Sequence, residues 1–171
     1  MSGLRGTLLF LLLFVGTTCM AQKAIVRWAY GPFGTPGEVA YIVDASRIYS
    51  SCGAFGERGT CIYIYDQEDQ QVYRAADTYG RRGQGAFYVQ GNNLMRCSGA
   101  LCSPGGCVLM LEGAKVFRGE GPGCMKGTGA FVIEQGYIHL AEGPFASKGD
   151  ALFQVEGDLP MLALLAILAG H

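Results

Sequence analysis

What the sequence has little of excludes several classes of protein. It contains only two histidines, His139 and His171, and it has neither a phosphate-cradling nor a dinucleotide-binding glycine motif. None of its cysteines are spaced as the C-x2-C pair of a zinc knuckle. Its 13 basic residues do not outnumber its 14 acidic ones, whereas nucleic-acid binding draws on a basic excess. We therefore expect no cofactor, no metal centre and no nucleic-acid partner.

Long apolar runs are also absent, and the only strongly apolar stretch near the start is short. Residues 7–15 read TLLFLLLFV, follow Arg5, and precede the small and polar run GTTCMAQ. This order of a basic residue, an apolar run and a cleavage zone predicts a secretory signal peptide over residues 1–21. The run is too short to cross a bilayer as a helix. We expect a secreted, periplasmic or cell-surface protein without a transmembrane span in the mature chain.

Six cysteines follow the predicted signal peptide. An even number of cysteines in an exported chain predicts up to three disulfides, with 15 connectivities open. The candidates are Cys52, Cys61, Cys97, Cys102, Cys107 and Cys124.

The rest of the chain consists of six tandem copies of a unit of about 22 residues, which together form one predicted domain over residues 22–158. The copies begin at Ile25, Arg47, Gln71, Asn93, Lys115 and Tyr137. The second copy is two residues longer, and the additional residues fall in DQEDQ, which predicts a turn at residues 66–70.

Aligned copies share chemistry at fixed positions, numbered here from the first residue of each copy. Position thirteen is glycine in every copy, which indicates a positive φ or a close backbone approach. Positions seventeen and nineteen are aromatic or aliphatic and lie two residues apart, as in a strand with one buried face. Position nine is also apolar in five copies, and we expect both positions nine and seventeen to face the core. Position nine is Phe33, Phe55, Tyr79, Leu101, Gly123 and Phe145, and position seventeen is Tyr41, Tyr63, Phe87, Leu109, Phe131 and Phe153.

Each copy therefore predicts two short strands, which cannot bury their apolar face alone and must stack on other copies. We predict an all-β protein built as an elongated meander or a β-solenoid, with a closed barrel of about twelve strands as the alternative. In a parallel solenoid Cys102 and Cys124, which share position ten in adjacent copies, would pair. A bond between Cys61 and Cys107 would instead favour a meander or a barrel.

The last segment, residues 159–171, differs in kind from the repeats. It reads LPMLALLAILAGH, and its leucines and alanines after Pro160 predict a short helix. We expect this helix to cap the open end of the stack. The alternative is a tail that is removed when a lipid anchor is attached, but the polar spacer that such a signal needs would have to come from a strand of the sixth copy.

The repeat pattern is best kept in three segments. They are VYRAADTYGRRGQGAFYVQGN, KVFRGEGPGC and YIHLAEGPFASKGDALFQVEGD. The pattern resembles the tandem 22-residue repeats of uncharacterised bacterial secreted proteins. The resemblance implies export and a repeat fold, but no activity and no functional residues.

The sequence favours binding over catalysis because no nucleophile with its base is recognisable. We expect a non-enzymatic secreted or cell-surface structural or binding module whose partner is a protein or carbohydrate surface. The alternatives are a secreted hydrolase that uses the carboxylates of position twenty and a lipid-anchored surface protein. The candidate ligand-facing aromatics are Tyr41, Tyr63, Tyr73, Tyr79 and Tyr88, and the alternative for them is a place in the core.

Overall fold

The structure, a computed structural model, describes residues 23–53, 55–99 and 101–171. The predicted signal peptide lies outside these residues. Twelve strands precede one helix, and no helix lies before Met161 in the described part of the chain. The strands are β1 (Lys23–Tyr30), β2 (Thr35–Asp44), β3 (Arg47–Cys52), β4 (Glu57–Asp66), β5 (Gln71–Ala75), β6 (Arg82–Gln90), β7 (Asn93–Ser98), β8 (Ser103–Glu112), β9 (Lys115–Glu120), β10 (Met125–Glu134), β11 (Tyr137–Glu142) and β12 (Ser147–Gly157).

The twelve strands form a closed antiparallel barrel in chain order, and β1 closes it by pairing with β12 as well as with β2. In the closing pair Val26 lies opposite Val155. The barrel alternative is therefore correct, and the preferred meander or solenoid is wrong. Each copy is one hairpin that pairs with the next copy, and joining the sixth copy to the first leaves no edge strand among the twelve described strands.

The predicted apolar positions line the interior of this barrel. The side chains of position two are at most 1% exposed, and they lie opposite position nineteen of the preceding copy. Position seventeen forms the next layer, where Phe153 lies opposite Trp28 and their ring centroids are 4.8 Å apart. The position-two residues are Val26, Ile48, Val72, Leu94, Val116 and Ile138.

Helix α1 (Met161–Leu168) lies inside the barrel, and its residues from Leu162 to Leu168 are all buried. A helix that is apolar on every side requires such an environment. The prediction of a helix is confirmed, but its expected place over the open end is wrong. Eight strands already enclose as much space as their own side chains fill, so a barrel of twelve needs additional apolar volume, which α1 supplies. Removal of residues 159–171 would empty this core.

The two ends of the barrel differ. At one end short turns such as the one between Asp44 and Arg47 join successive copies, and α1 begins there after β12 ends at Gly157. At the other end, which we call the mouth, α1 ends at Leu168 and Gly170 lies beside Tyr63. On the mouth side, the two strands of each hairpin are joined by a turn at positions seven to ten of the repeat. We call these turns the tips. The turn predicted at residues 66–70 is confirmed, since β4 ends at Asp66 and β5 begins at Gln71.

The two glycine positions of the repeat serve different needs. Position seven has a positive φ in the five copies where it is glycine, for example 69° at Gly31 and 73° at Gly99. Position thirteen has no such φ; instead it allows a close backbone approach. A Cβ on Gly105 would lie only 2.5 Å from the carbonyl oxygen of Arg96.

Two disulfides form within the described residues. Cys97 is bonded to Cys102 inside the fourth copy, and Cys107 is bonded to Cys124 across the contact between the fourth and fifth copies. The solenoid pairing of Cys102 with Cys124 is wrong, because adjacent copies place position fifteen of one against position ten of the next. The bond between Cys61 and Cys107 is not formed either.

Cys52 and Cys61 remain unpaired thiols, so the expected third disulfide is absent from the described residues. Cys61 occupies position fifteen, where the bonded Cys107 sits in the fourth copy, but its neighbour at position ten of the next copy is Gly80. No helix in the described part of the chain is long and apolar enough to cross a membrane.

Candidate functional site

The tips expose a set of large apolar side chains at one repeat position. Position nine, which we expected to face the core, points to solvent. This expectation is wrong for position nine and correct for position seventeen. The exposed fractions are 95% for Phe33, 94% for Phe55, 88% for Tyr79, 93% for Leu101 and 81% for Phe145.

The local sequence explains why these side chains point outwards. In each tip the amide of position ten donates a hydrogen bond to the carbonyl oxygen of position seven, as from Gly34 to Gly31 at 3.2 Å. Both residues have a positive φ, 65° at Gly34 and 69° at Gly31. This four-residue turn holds Phe33 at its outer corner, where no neighbouring strand can cover it.

A second candidate site lies at the mouth, where two clefts open between adjacent hairpins beside the end of α1. The first has a volume of about 390 Å³ and is lined by Tyr41, Tyr63, Arg74 and Gly170, among others. The second has a volume of about 360 Å³ and is lined by Tyr63, Arg74, Arg96 and Gly170, among others. We call these the mouth clefts; Tyr63 and Arg74 belong to both.

Arginine occupies position four in three consecutive copies. The strand register places Arg74 opposite Tyr63, Arg96 opposite Phe87 and Arg118 opposite Leu109. Since position seventeen faces the barrel interior, position four lies on the same inner face, at the mouth. In the described part of the chain, none of the three guanidinium groups forms an ion pair with a carboxylate. We call Arg74, Arg96 and Arg118 the arginine row.

His171 and Tyr41 form a hydrogen-bonded pair at the mouth, with 2.9 Å between Nε2 and the hydroxyl oxygen. The imidazole also contacts the rings of Trp28 and Phe153. Desolvation lowers the pKa of His171 and raises the pKa of Tyr41. At neutral pH the pair is therefore uncharged, and no carboxylate in the described residues orients the imidazole as a catalytic base requires.

Cys61, which lines the first mouth cleft, does not provide a nucleophile. Its side chain is buried, and burial raises the pKa of the thiol. Its Sγ donates to the carbonyl oxygen of Tyr63 at 3.5 Å. A reactive cysteine needs a lowered pKa and access to substrate, so the environment of Cys61 is that of a structural residue.

The carboxylates proposed for the hydrolase alternative lie on the outer face, and each has a basic partner. Glu134 binds Lys148 at 2.5 Å and Glu156 binds Arg27 at 2.8 Å. The hydrogen bond from Lys148 and the positive charge of Lys148 lower the pKa of Glu134. A general acid needs a raised pKa, so these groups are set for ion pairing. The remaining pairs are Asp44 with Arg58, Asp66 with Arg82 and Glu112 with Lys126.

The acidic turn at residues 66–70 is likewise explained without a ligand. Asp66 Oδ1 accepts hydrogen bonds from the amides of Glu68 and Asp69, while its Oδ2 binds Arg82. No group of three metal-binding side chains occurs in the part of the chain that the structure describes.

The structure does not bring the five predicted tyrosines together. Tyr41 and Tyr63 line the first mouth cleft, and Tyr79 is a tip residue. Tyr73 lies on the outer face, where the guanidinium of Arg82 covers its ring with 4.2 Å between Cζ and the ring centroid. The Tyr88 hydroxyl is buried and has no hydrogen-bond partner among the described residues.

We did not predict the arginine row from the sequence, although the aligned copies contain the pattern that identifies it. Three consecutive copies keep arginine at position four, but alternation alone does not reveal that this position borders a cleft.

No protein-family model, curated protein or solved structure matches the chain.

Proposed function

We propose that the protein is a non-enzymatic binding module, exported to an oxidising compartment, that holds its partner through the five apolar tips. The observation that carries this proposal is the 81–95% exposure of position nine in five of the six copies. The two disulfides support the oxidising compartment.

Packing gives no reason for the apolar side chains of position nine. Position two is kept apolar because it fills the barrel, whereas Phe33 and Phe55 are almost wholly in water. Single exposed apolar residues are common on protein surfaces, but a large aromatic or aliphatic side chain at the same corner of five hairpins forms an organised set. Burial against a partner would yield about 1.5–3 kcal/mol for each such side chain.

The described residues contain no nucleophile or general acid with the environment that catalysis requires, which also favours binding. The mouth holds an uncharged histidine and tyrosine pair, and the thiol of Cys61 is buried. The outer carboxylates are neutralised by Lys and Arg. Binding therefore accounts for the exposed features of the molecule better than hydrolysis does.

The test compares wild type with a tip variant that carries Phe33→Ser, Phe55→Ser and Phe145→Ser. Both are applied to the same panel of immobilised neutral glycans, random peptides and phosphatidylcholine vesicles. We expect any probe retained by the wild type to be lost by the tip variant, because only tip side chains differ.

Two further variants sharpen this test. Met161→Ser alters an exposed apolar residue at the opposite end of the barrel and should leave binding unchanged. Gly123→Phe adds the missing sixth tip at a position where a Cβ meets no atom within 4 Å, and it should strengthen binding. Equal retention of a probe by wild type and tip variant would contradict the proposal.

A further inference from the structure

Independently of the tips, we propose that the arginine row and the mouth clefts bind an acidic carbohydrate chain. The guanidinium groups of Arg74, Arg96 and Arg118 would contact its carboxylates or sulfates, and the rings of Tyr41 and Tyr63 would contact its sugar rings.

The charge of the arginine row is unbalanced. On the outer face the basic residues Arg58, Arg82, Lys126 and Lys148 all have acidic partners, whereas the three arginines of the row pair with no carboxylate of the described residues. Guanidinium groups bind carboxylate and sulfate oxygens through two parallel hydrogen bonds. An anionic ligand would supply the row with the negative charge that acidic residues supply to the basic residues of the outer face.

The end of α1 accounts for part of this charge but not for all of it. The carbonyl end of a helix carries partial negative charge and attracts a cation within its last turn. Gly170 lines both mouth clefts together with Arg74. The row, however, extends over three hairpins, so Arg96 and Arg118 supply charge beyond what one helix end needs.

The spacing of the arginine row fits an extended ligand with regularly placed charges. Its arginines lie on β5, β7 and β9, so two strand intervals separate neighbours. At about 4.8 Å for each interval their Cα atoms are at least about 10 Å apart, because the register also staggers them along the strands. An extended chain with one acidic group on alternate sugars matches such a row, whereas a nucleic acid strand carries a phosphate about every 3.4 Å along a duplex axis.

The mouth clefts are lined by aromatic and amide groups as well as by arginine. Tyr41 and Tyr63 present partly exposed aromatic rings beside Arg74 in the first cleft, and Gln84 adds an amide to the second. Flat apolar faces next to charged and amide groups suit sugar rings that carry acidic substituents. Two adjoining clefts with a shared wall suit a chain better than a compact ligand.

The test titrates the protein with an oligosaccharide of defined length in which a uronic acid alternates with a neutral sugar, and with its methyl ester, which has the same sugars without charge. We expect the acidic oligomer to bind and the ester to fail. The variant with Arg74→Gln, Arg96→Gln and Arg118→Gln should bind the acidic oligomer at least about tenfold more weakly, because three charge-assisted contacts are lost.

A matched control removes the same charge elsewhere through Lys23→Gln, Arg81→Gln and Lys115→Gln and should bind as the wild type does. If the triple row variant does not fold, Arg96→Gln alone should still weaken binding and flatten its salt dependence. The tip variant should retain the oligomer, which separates this proposal from the proposed function of the tips.

Three results would overturn the proposal. The first is equal binding of the methyl ester and the second is unchanged binding by the row variants. The third is equal binding of a single-stranded oligodeoxynucleotide of the same total charge, which would indicate attraction for any polyanion.

Discussion

Positions seventeen and nine of the repeat carry the same kinds of side chain and have opposite environments. In the sixth copy Phe145 and Phe153 are only eight residues apart, yet Phe145 is 81% exposed and Phe153 is fully buried. Phe153 lies in β12, two residues from Val155, and alternation directs both inwards. Phe145 lies in a turn, outside the alternating pattern.

The difference shows that hydrophobicity at a repeated position has two separate causes. Inside the barrel it follows from the need to fill the space around α1. At the tips the apolar side chains fill no space in the described part of the chain. The binding proposal rests on that contrast. The predictions below test the contrast by altering one region while leaving the other unchanged.

The largest expected effect comes from truncating the two phenylalanines in parallel. Phe153→Ala should lower the free energy of unfolding by about 3–5 kcal/mol, because it leaves a cavity against the rings of Trp28, Tyr41 and His171. Phe145→Ala should change it by no more than about 0.5 kcal/mol, as at other exposed sites. Denaturant unfolding measures both, and comparable losses would mean that the tip is packed.

Removal of the disulfide between copies should follow in size. Replacing Cys107 and Cys124 by Ala opens a link of 17 residues, which the chain-entropy estimate values at about 3 kcal/mol. Replacing Cys97 and Cys102 opens a link of 5 residues and should cost about 2 kcal/mol. Unfolding midpoints of the two double variants provide the comparison. Equal values would indicate that the bond between copies does not restrict the unfolded chain more.

A smaller effect distinguishes a glycine at a close backbone approach, Gly105, from a glycine at an open tip, Gly123. Gly105→Ala should destabilise the fold by about 1–3 kcal/mol, because its methyl group meets the Arg96 carbonyl oxygen. Gly123→Ala, at the tip, should cost almost nothing, because space around it is open. If Gly105→Ala has the wild-type free energy of unfolding in denaturant, the close backbone approach of Gly105 to Arg96 is refuted.

The smallest effect concerns pH at the mouth. Desolvation lowers the pKa of His171 in the folded state, so the unfolded chain binds its proton first as pH falls below about 6.5. The stability contributed by the neutral imidazole is therefore present above that pH and is lost as pH falls towards the lower folded pKa. Wild type should lose stability between pH 7.5 and 5.5, and His171→Phe should lose less.

The carboxylates provide a control for this assignment. Asp66, Asp77 and Glu134 also have lowered pKa values, but their protonation belongs to the more acidic range near their ordinary pKa. If His171→Phe follows the wild-type profile between pH 7.5 and 5.5, the imidazole is not the group responsible.

Much of the architecture could be predicted from the repeat. The six copies, the two strands in each, the inward position seventeen and the C-terminal helix all follow from periodicity and composition. Closure could not be predicted, because the same hairpins satisfy a meander as well as a barrel until β1 pairs with β12. The place of α1 depends on that closure, since only a wide barrel has an interior to fill.

The candidate sites were less accessible to sequence reasoning. The apolar character of Phe33 and Phe55 suggested the core, and only the turn at each tip shows that they point outwards. Arg74 and Arg96 recur at one position, but their closeness to a cleft depends on the register opposite position seventeen. The disulfides depend on contacts between adjacent copies, which place position fifteen beside position ten.

The most direct test of the account measures the solvent accessibility of individual phenylalanine rings by 19F NMR. The protein is labelled with fluorophenylalanine, its signals are assigned by substitution, and a soluble paramagnetic agent is added. We expect strong broadening for Phe33, Phe55 and Phe145 and little change for Phe87, Phe131 and Phe153. Protection of the three tip residues would contradict it, because the tips would then belong to the core and could not present a binding surface.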